Sequence, residues 1–318
     1  MRITIATSPA EIDHIRPVWE RLHRPAEQTS FQHFVLNRLA AEHFGERESP
    51  YIVLAESESS AALIPAAVRK RSGDITLLGE SLFDYRDVLH AGTNEALEAA
   101  WAEIAKLNRP LSFVAVRPEA QGRWEAIPTT SFANAPCVRQ QDTSCDEFRA
   151  AHKKLGMYYR RVIKRGAHLH AHTGKNRGLV RAIYGQKAAQ FPHETNNLFL
   201  DPHRREFMAL ACEAMGDRCE IYTLEHGAQL VAALVTLREE CIRRFYTIYF
   251  DPAWSKFSPG VALIYEVTAR TLAEGLDCDY MTGEYGYKNR LATAMVPLLR
   301  VEATAEGLAK AISSRHAA

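Results

Sequence analysis

Between Cys241 and Lys288 the chain gathers side chains that can move protons and hold anions. Glu284 follows the apolar run Cys278–Met281, and Gly283 and Gly286 flank it, allowing another backbone or a ligand to approach closely. A carboxylate placed there can take a proton from a nucleophile. Lys288, four residues on, can hold a carboxylate or phosphate, or pair with Glu284 as a plain structural ion pair. Tyr285, Tyr287, Tyr246 and Tyr249 offer phenols able to give a proton, or rings that pack with the hydroxyl satisfied; alternation on a strand lets at most one of Tyr246 and Tyr249 face a site. Ser258-Pro259-Gly260 reads as a helix start, with Ser258 capping free amides and Pro259 at the first helical position. The amides of Gly260 and Val261 at that terminus, with Lys256 beside them, suit an anion.

Three further clusters could carry chemistry. Asp84-Tyr85-Arg86-Asp87 follows Gly79-Glu80-Ser81, and its short charged groups could bind a polar molecule or form a solvated turn. Lys153, Lys154, Arg160, Arg161, Lys164 and Arg165 form a basic helix able to meet a phosphate, an anionic small molecule or RNA, or to stand as a solvated face. It lacks the interleaved aromatics of a single-strand nucleic-acid surface beyond Tyr158 and Tyr159. His168, His170 and His172 alternate on a strand, but without Cys, Asp or Glu at ligand spacing they read as an exposed edge, and no metal is expected.

The elements that must position these groups come from a chain of 318 residues, 47% hydrophobic and 24% charged. That composition supports a sizeable core, and at roughly 150 residues per domain it suggests two domains. A net charge of +1 gives no general pull toward nucleic acid or membrane. The six cysteines show no paired spacing and read as reduced thiols. No apolar run reaches the roughly 18 residues of a membrane span, and the start lacks a signal-peptide core, so a cytoplasmic protein is expected.

Along the chain, residues 2–6 read as a strand and Ser8-Pro9-Ala10-Glu11 opens a helix to Leu22. A helix at 31–44, strands at 51–56 and 61–69, weaker strands at 74–78 and 85–89, a helix at 93–107 and a strand at 111–116 follow; 118–135 reads as irregular. A helical stretch runs from Ser144 through Arg165, interrupted near Gly156. Then come a strand at 167–173, helices at 176–190 and 202–215, and strands at 219–225, 229–239 and 241–250. The Pro259 helix stops at Gly275, and a strand to Met281, a short helix at 287–293 and a strand at 296–303 close the set. A strand, a helix and a strand with short links imply two parallel strands with the helix packed on them. The halves share one order of elements, which divides the chain into 1–140 and 141–318.

That order resembles the GNAT acyltransferase fold, so the fold class expected is mixed α/β with tandem GNAT-like domains. Residues 150–295 are similar to the CelD-like (cellulose-biosynthesis-type) GNAT family, which is related to the FemAB transferases. The similarity rests on Lys153, Tyr159, Arg160 and Arg161, Leu200-Asp201-Pro202, Leu230–Ala233, Asp251-Pro252, Phe257–Gly260 and Asp279–Lys288, with Phe31-Gln32 and Asp84–Asp87 in the first half. The resemblance implies an acyltransferase that moves an acyl group from acetyl-CoA or a longer acyl-CoA to the amine or hydroxyl of a small-molecule acceptor held between the two domains. Carried onto this sequence, it makes Glu284 the base and Tyr287 or Tyr285 the proton donor. Lys256, Ser258, Gly260, Val261 and Tyr249 become the coenzyme site, and Asp84, Tyr85, Arg86, Asp87, Lys288, Arg160 and Arg161 the acceptor site. The sequence departs from the usual glycine-rich pyrophosphate loop, because Ser255–Gly260 stands in its place and Pro259 removes one amide donor. A FemAB-like transferase using aminoacyl-tRNA, and a non-catalytic ligand-binding module, are the alternatives.

Overall fold

A computed structural model describes residues 1–119, 127–194, 197–283 and 285–313. The chain folds into two compact units, Met1–Ala133 with Pro297–Ala318, and Asn134–Val296.

The first unit opens with β1 (Arg2–Ala6), α1 (Pro9–His14), α2 (Arg16–Leu22) and α3 (Phe34–His43). The Ser8 capping box forms as its residues require, with Ser8 Oγ accepting from the Glu11 N–H and Glu11 accepting from the Ser8 N–H. The single helix expected to Leu22 breaks at Ile15, because Pro17 has no N–H to continue the ladder. β2 (Glu48–Glu56), β3 (Ser60–Arg69), β4 (Ile75–Leu77), β5 (Leu89–Gly92), α4 (Glu95–Ala105) and β6 (Leu111–Val116) follow. β1, β2 and β3 are antiparallel neighbours, β4 and β5 pair with β3, and β4 meets β6 in parallel at Ile75 and Leu111. Alternation along β2 sends Ile52 and Leu54 to a core with Trp19 and Phe34, and Val53 and Ala55 to one with Ala100 and Trp101. Residues 85–88 form no strand; Arg86 makes only an isolated bridge to Val116.

β7 (Thr129–Val138) crosses into the second unit, beginning inside the stretch 118–135 expected to be irregular. Its alternation is masked by Asn134 and Pro136, the kind of residues that end strands in a sequence reading. α5 (Cys145–Ala151) and α6 (Lys153–Lys164) come next, and the break falls at His152, leaving Gly156 inside the helix. β8 (His168–Thr173), α7 (Arg177–Gln190), α8 (Pro202–Met215), β9 (Cys219–His226), β10 (Gln229–Arg238), β11 (Ile242–Phe250), α9 (Pro259–Ala273), β12 (Asp277–Asp279) and α10 (Gly286–Leu291) complete this unit. Its strands lie in the order β8-β9-β10-β11-β12-β7. Every pair is antiparallel except β11 with β12, the parallel crossover expected from the sequence. α5, α6 and α9 cover one face around Phe148, Val162, Leu263 and Tyr265, while α7 meets the other through Tyr184 and Thr247.

The chain then returns. β13 (Ala294–Ala303) pairs with β6, and α11 (Ala305–Ser313) follows, placing Val301, Leu308 and Ile312 in the core of the first unit. Residues 297–318 thus stand apart from the expected second domain of 141–318: their apolar positions match a core that lies nearly two hundred positions earlier, a pairing no local pattern reveals. Among the described residues no helix is long and apolar enough to cross a membrane.

Candidate active site

β11 and β12 are in register only at Ile242–Asp277, Arg243–Cys278 and Arg244–Asp279. β12 stops at Asp279, whereas β11 continues to Phe250, so beyond Arg244 this edge of β11 has no strand partner among the described residues. The side chains at the last rung explain the parting. Arg244 is buried and bonds both Glu239, at 2.9 Å, and Asp279. Asp279 also accepts the Met281 N–H at 2.6 Å, and Met281 takes a left-handed φ of 58°, which turns the chain out of the sheet. Farther along β11 the register with β10 slips at Tyr246, which is opposite no residue, so simple alternation does not hold through that strand.

The loop after β12 carries most of the candidate catalytic groups. Gly283 has a φ of 95°, a conformation that favours glycine, and a Cβ on it would meet the Tyr285 ring at 3.1 Å. Lys288 is buried; its Nζ donates to the Thr282 carbonyl at 2.6 Å and lies 5.4 Å from the Tyr285 ring centre. Tyr285 and Tyr287 stack at 6.0 Å and 16°. Tyr285 stands in solvent, 62% exposed, while Tyr287 is half-buried, and burial, then Tyr285, push its hydroxyl well above the ordinary tyrosine range. Tyr287 therefore keeps its proton through neutral pH. Glu284, the expected base, lies outside the described residues.

α9 begins beside the free end of β11. Its first helical bond runs from the Ala262 N–H to the Ser258 carbonyl at 3.0 Å, so the amides of Gly260 and Val261 precede the ladder. Ser258 does not cap them: its backbone is left-handed, with φ and ψ both 51°, and its side chain makes no capping bond. Asp251 is the local cap instead, accepting the Ala253 N–H at 2.8 Å and starting the short turn Pro252–Phe257. A Cβ on Gly260 would meet Phe250 at 3.2 Å and Ile248 at 3.6 Å, so the helix start backs directly onto β11. Lys256 and Arg165 both lie over the Phe257 ring, at 5.1 and 5.2 Å, bringing two cations to this terminus.

Other expected site residues fall elsewhere. Tyr249 alternates with Ile248 and Phe250 and is buried away from α9; burial and then Asp251 push its hydroxyl up to about 12. Arg160 and Arg161 are exposed on α6. Asp84–Asp87 belongs to the first unit, where Tyr85, Arg86 and Asp87 are buried. The Arg86 guanidinium donates to the carbonyls of Leu77, Leu78 and Glu80, Gln32 Nε2 donates to the Tyr85 carbonyl at 2.7 Å, and Asp87 accepts the Val88 N–H at 2.7 Å. His168, His170 and His172 lie on β8 at the sheet edge, with His172 Nε2 3.1 Å from Thr223 Oγ1. Among the described residues no group of three or more His, Cys, Asp or Glu is placed to hold a metal.

Sequence reasoning passed over Arg244 and gave Asp279 no role of its own, yet the two set where the strands part. The signal was present: Arg243-Arg244 inside a run of aromatic and apolar residues, and Asp279 next to Tyr280-Met281, where an unpaired buried charge would be costly.

Comparison with known proteins places this geometry. Residues 151–289 match the family described as Acetyltransferase (GNAT) domain. No curated protein matches the chain. Solved structures share the fold along nearly its whole length. A domain assigned to a lysylphosphatidylglycerol synthetase of Agrobacterium fabrum has a TM-score of 0.62 at 10% identity, covering 97% of each chain. FemX has a TM-score of 0.55 at 8% identity, covering 94% of this chain and 97% of its own. A tandem GNAT protein from the clavulanic acid biosynthesis pathway has a TM-score of 0.52 at 11% identity, covering 95% of this chain and 98% of its own. Residues 151–289 thus match an acetyltransferase (GNAT) domain, and the chain has a mixed α/β fold shared with solved tandem GNAT structures.

Proposed function

We propose that the chain transfers an acyl group from an acyl-coenzyme A thioester to the amine or hydroxyl of a small polar acceptor. The observation that carries this reading is the edge of β11 beyond Arg244, which has no strand partner among the described residues and lies beside the amides that begin α9. An extended chain bearing amides, such as pantetheine, can satisfy a free strand edge as another strand would. Its phosphates then reach the Gly260 and Val261 N–H groups and Lys256. The thioester carbon comes to the loop after β12. There Glu284 takes the acceptor's proton, the acceptor attacks the carbonyl carbon, the C–S bond breaks, and Tyr287 protonates the departing thiolate. Lys288 helps to position the acceptor or its developing charge.

Calorimetric and thermal-shift titrations with coenzyme A, acetyl-coenzyme A and longer acyl-coenzymes A test the donor. Ligand at about 100 times its dissociation constant adds roughly 2.7 kcal/mol of stability. Once an acceptor is found, Glu284→Gln and Tyr287→Phe should each lower kcat by about 10²–10⁴ with little change in donor affinity. Full turnover by Glu284→Gln at saturating acceptor would remove this mechanism.

A second reading, transfer from aminoacyl-tRNA in the manner of FemAB transferases, is favoured by Pro259, which leaves two helix-start amides where a pyrophosphate would use more. No thermal shift with any thioester, together with a complex with bulk tRNA at low salt, would move the assignment there.

A further inference from the structure

The basic face of α6 is not used by the mechanism above. At 3.6 residues per turn, Lys153, Lys154, Arg160, Arg161, Lys164 and Arg165 fall within an arc of about 140°. All six are exposed, and no acidic residue lies on the helix. Among the described residues none of the six makes an ion pair. Met157, 42% exposed, sits in the middle of the arc. The opposite face is occupied: Gly156 and Val162 are buried against α9, and Leu155 and Ile163 pack on the same core. The arc also leads to a chemically meaningful place. α6 runs antiparallel along α9, with Gly156 against Tyr265 and Arg165 against Phe257, so its C-terminal end reaches the start of α9.

We propose that α6 docks an acidic carrier protein bearing a 4′-phosphopantetheine arm, and that the acyl thioester reaches the site on that arm. The proposal rests on the thioester reading above and names the donor's carrier. Three observations favour it. Only two amides, at Gly260 and Val261, open α9, a set suited to the single phosphodiester of a carrier-bound arm. The arc runs from Lys153 to Arg165, about 18 Å, matching one acidic helix laid across it. An exposed methionine ringed by cations suits a protein surface with an apolar centre and acidic rim. A bilayer is disfavoured because the apolar face of α6 is buried on α9 and cannot insert. RNA is disfavoured because no exposed aromatic ring stands on the arc to stack a base. In the reaction the carrier's C–S bond breaks as the acceptor's C–N or C–O bond forms, and the carrier thiol gains the proton the acceptor loses.

The test is binding, which needs no acceptor. A bacterial acyl-carrier protein, with and without its phosphopantetheine arm, and coenzyme A are titrated against the whole chain. The holo-carrier should bind, with affinity falling steeply as salt rises. Lys154→Glu/Lys164→Glu should weaken it about 10- to 100-fold while leaving coenzyme A binding unchanged. Lys154→Gln/Lys164→Gln should weaken it less, which separates loss of charge from loss of fold. If coenzyme A binds and the holo-carrier does not, or if the reversal leaves carrier affinity untouched, the carrier proposal falls and the thioester reading stands. If neither thiol ligand binds, or only tRNA does, both fall.

Discussion

Glu48 is the residue whose state in the folded chain differs most plainly from its state in water. It begins β2 and is 2% exposed; one carboxyl oxygen accepts the Glu80 N–H at 3.2 Å and the other is buried with no partner. Burial pushes its pKa up, outweighing Arg86. Its folded value therefore lies above its unfolded one. The proton-linked stability is full below the ordinary carboxylate range and is lost as pH rises through the raised value. Glu48→Gln keeps an acceptor for Glu80 and removes the charge. We expect it to raise the melting temperature at pH 8 and to do little at pH 4, with a gain of about 1 kcal/mol or more. Equal effects at the two pH values, followed by calorimetry, would refute the account. By contrast, the buried Asp279 and Arg244 partner each other, and Asp279 accepts the Met281 N–H as well. The candidate loop was legible at this scale: Gly283, Tyr285, Tyr287 and Lys288 lie together, because residues within a six-residue stretch cannot be far apart. The inward turn of Arg86 was not legible, since its carbonyl partners are set by the path of the chain around it.

At the scale of elements, the α6–α9 crossing sets two opposing effects against each other. Gly156 lies inside α6, where alanine would ordinarily gain about 1 kcal/mol of helix propensity. A Cβ there would meet the Tyr265 hydroxyl at 2.9 Å and its ring carbon at 3.3 Å, and Tyr265 is buried and stacked on Phe148. Overpacking of this kind costs about 1–3 kcal/mol, so the steric term wins. Gly156→Ala should lower the urea midpoint, and Gly156→Ala/Tyr265→Phe should recover part of the loss. An increase in stability for the single variant would show that the helices slide apart freely. The sequence identified the helix and its glycine but put the interruption at Gly156. Close packing, not helix breaking, is what this glycine provides, and only the partner helix reveals that.

At the scale of the whole chain, the first unit depends on its last segment. Val301, Leu308 and Ile312 are buried with Val53, Ala100 and Phe113, and β13 pairs with β6. Burying each such side chain contributes about 1.5–3 kcal/mol, and three together rival the roughly 5–15 kcal/mol of a whole domain. A chain ending at Val296 should therefore lose the first unit's cooperative melting transition and keep that of the second, with proteolysis concentrated before residue 133. A truncated chain that melts like the full one would contradict this division.

What the sequence by itself determined were the local facts: the capping boxes at Ser8 and Ser144, the parallel crossover from β11 through α9 to β12, and the glycine-shaped loop that follows it. The capping boxes and the loop depend on residues a few positions apart, where steric and hydrogen-bonding preferences act directly, and the crossover follows from the short links between three consecutive elements. Tertiary structure alone decided that Ser258 leaves α9 uncapped, that β7 forms among residues with weak strand preference, that Arg244 and Asp279 part the strands, and that residues 297–318 complete the first unit. Those outcomes turn on partners brought together from distant positions, where burial and pairing outweigh local propensity.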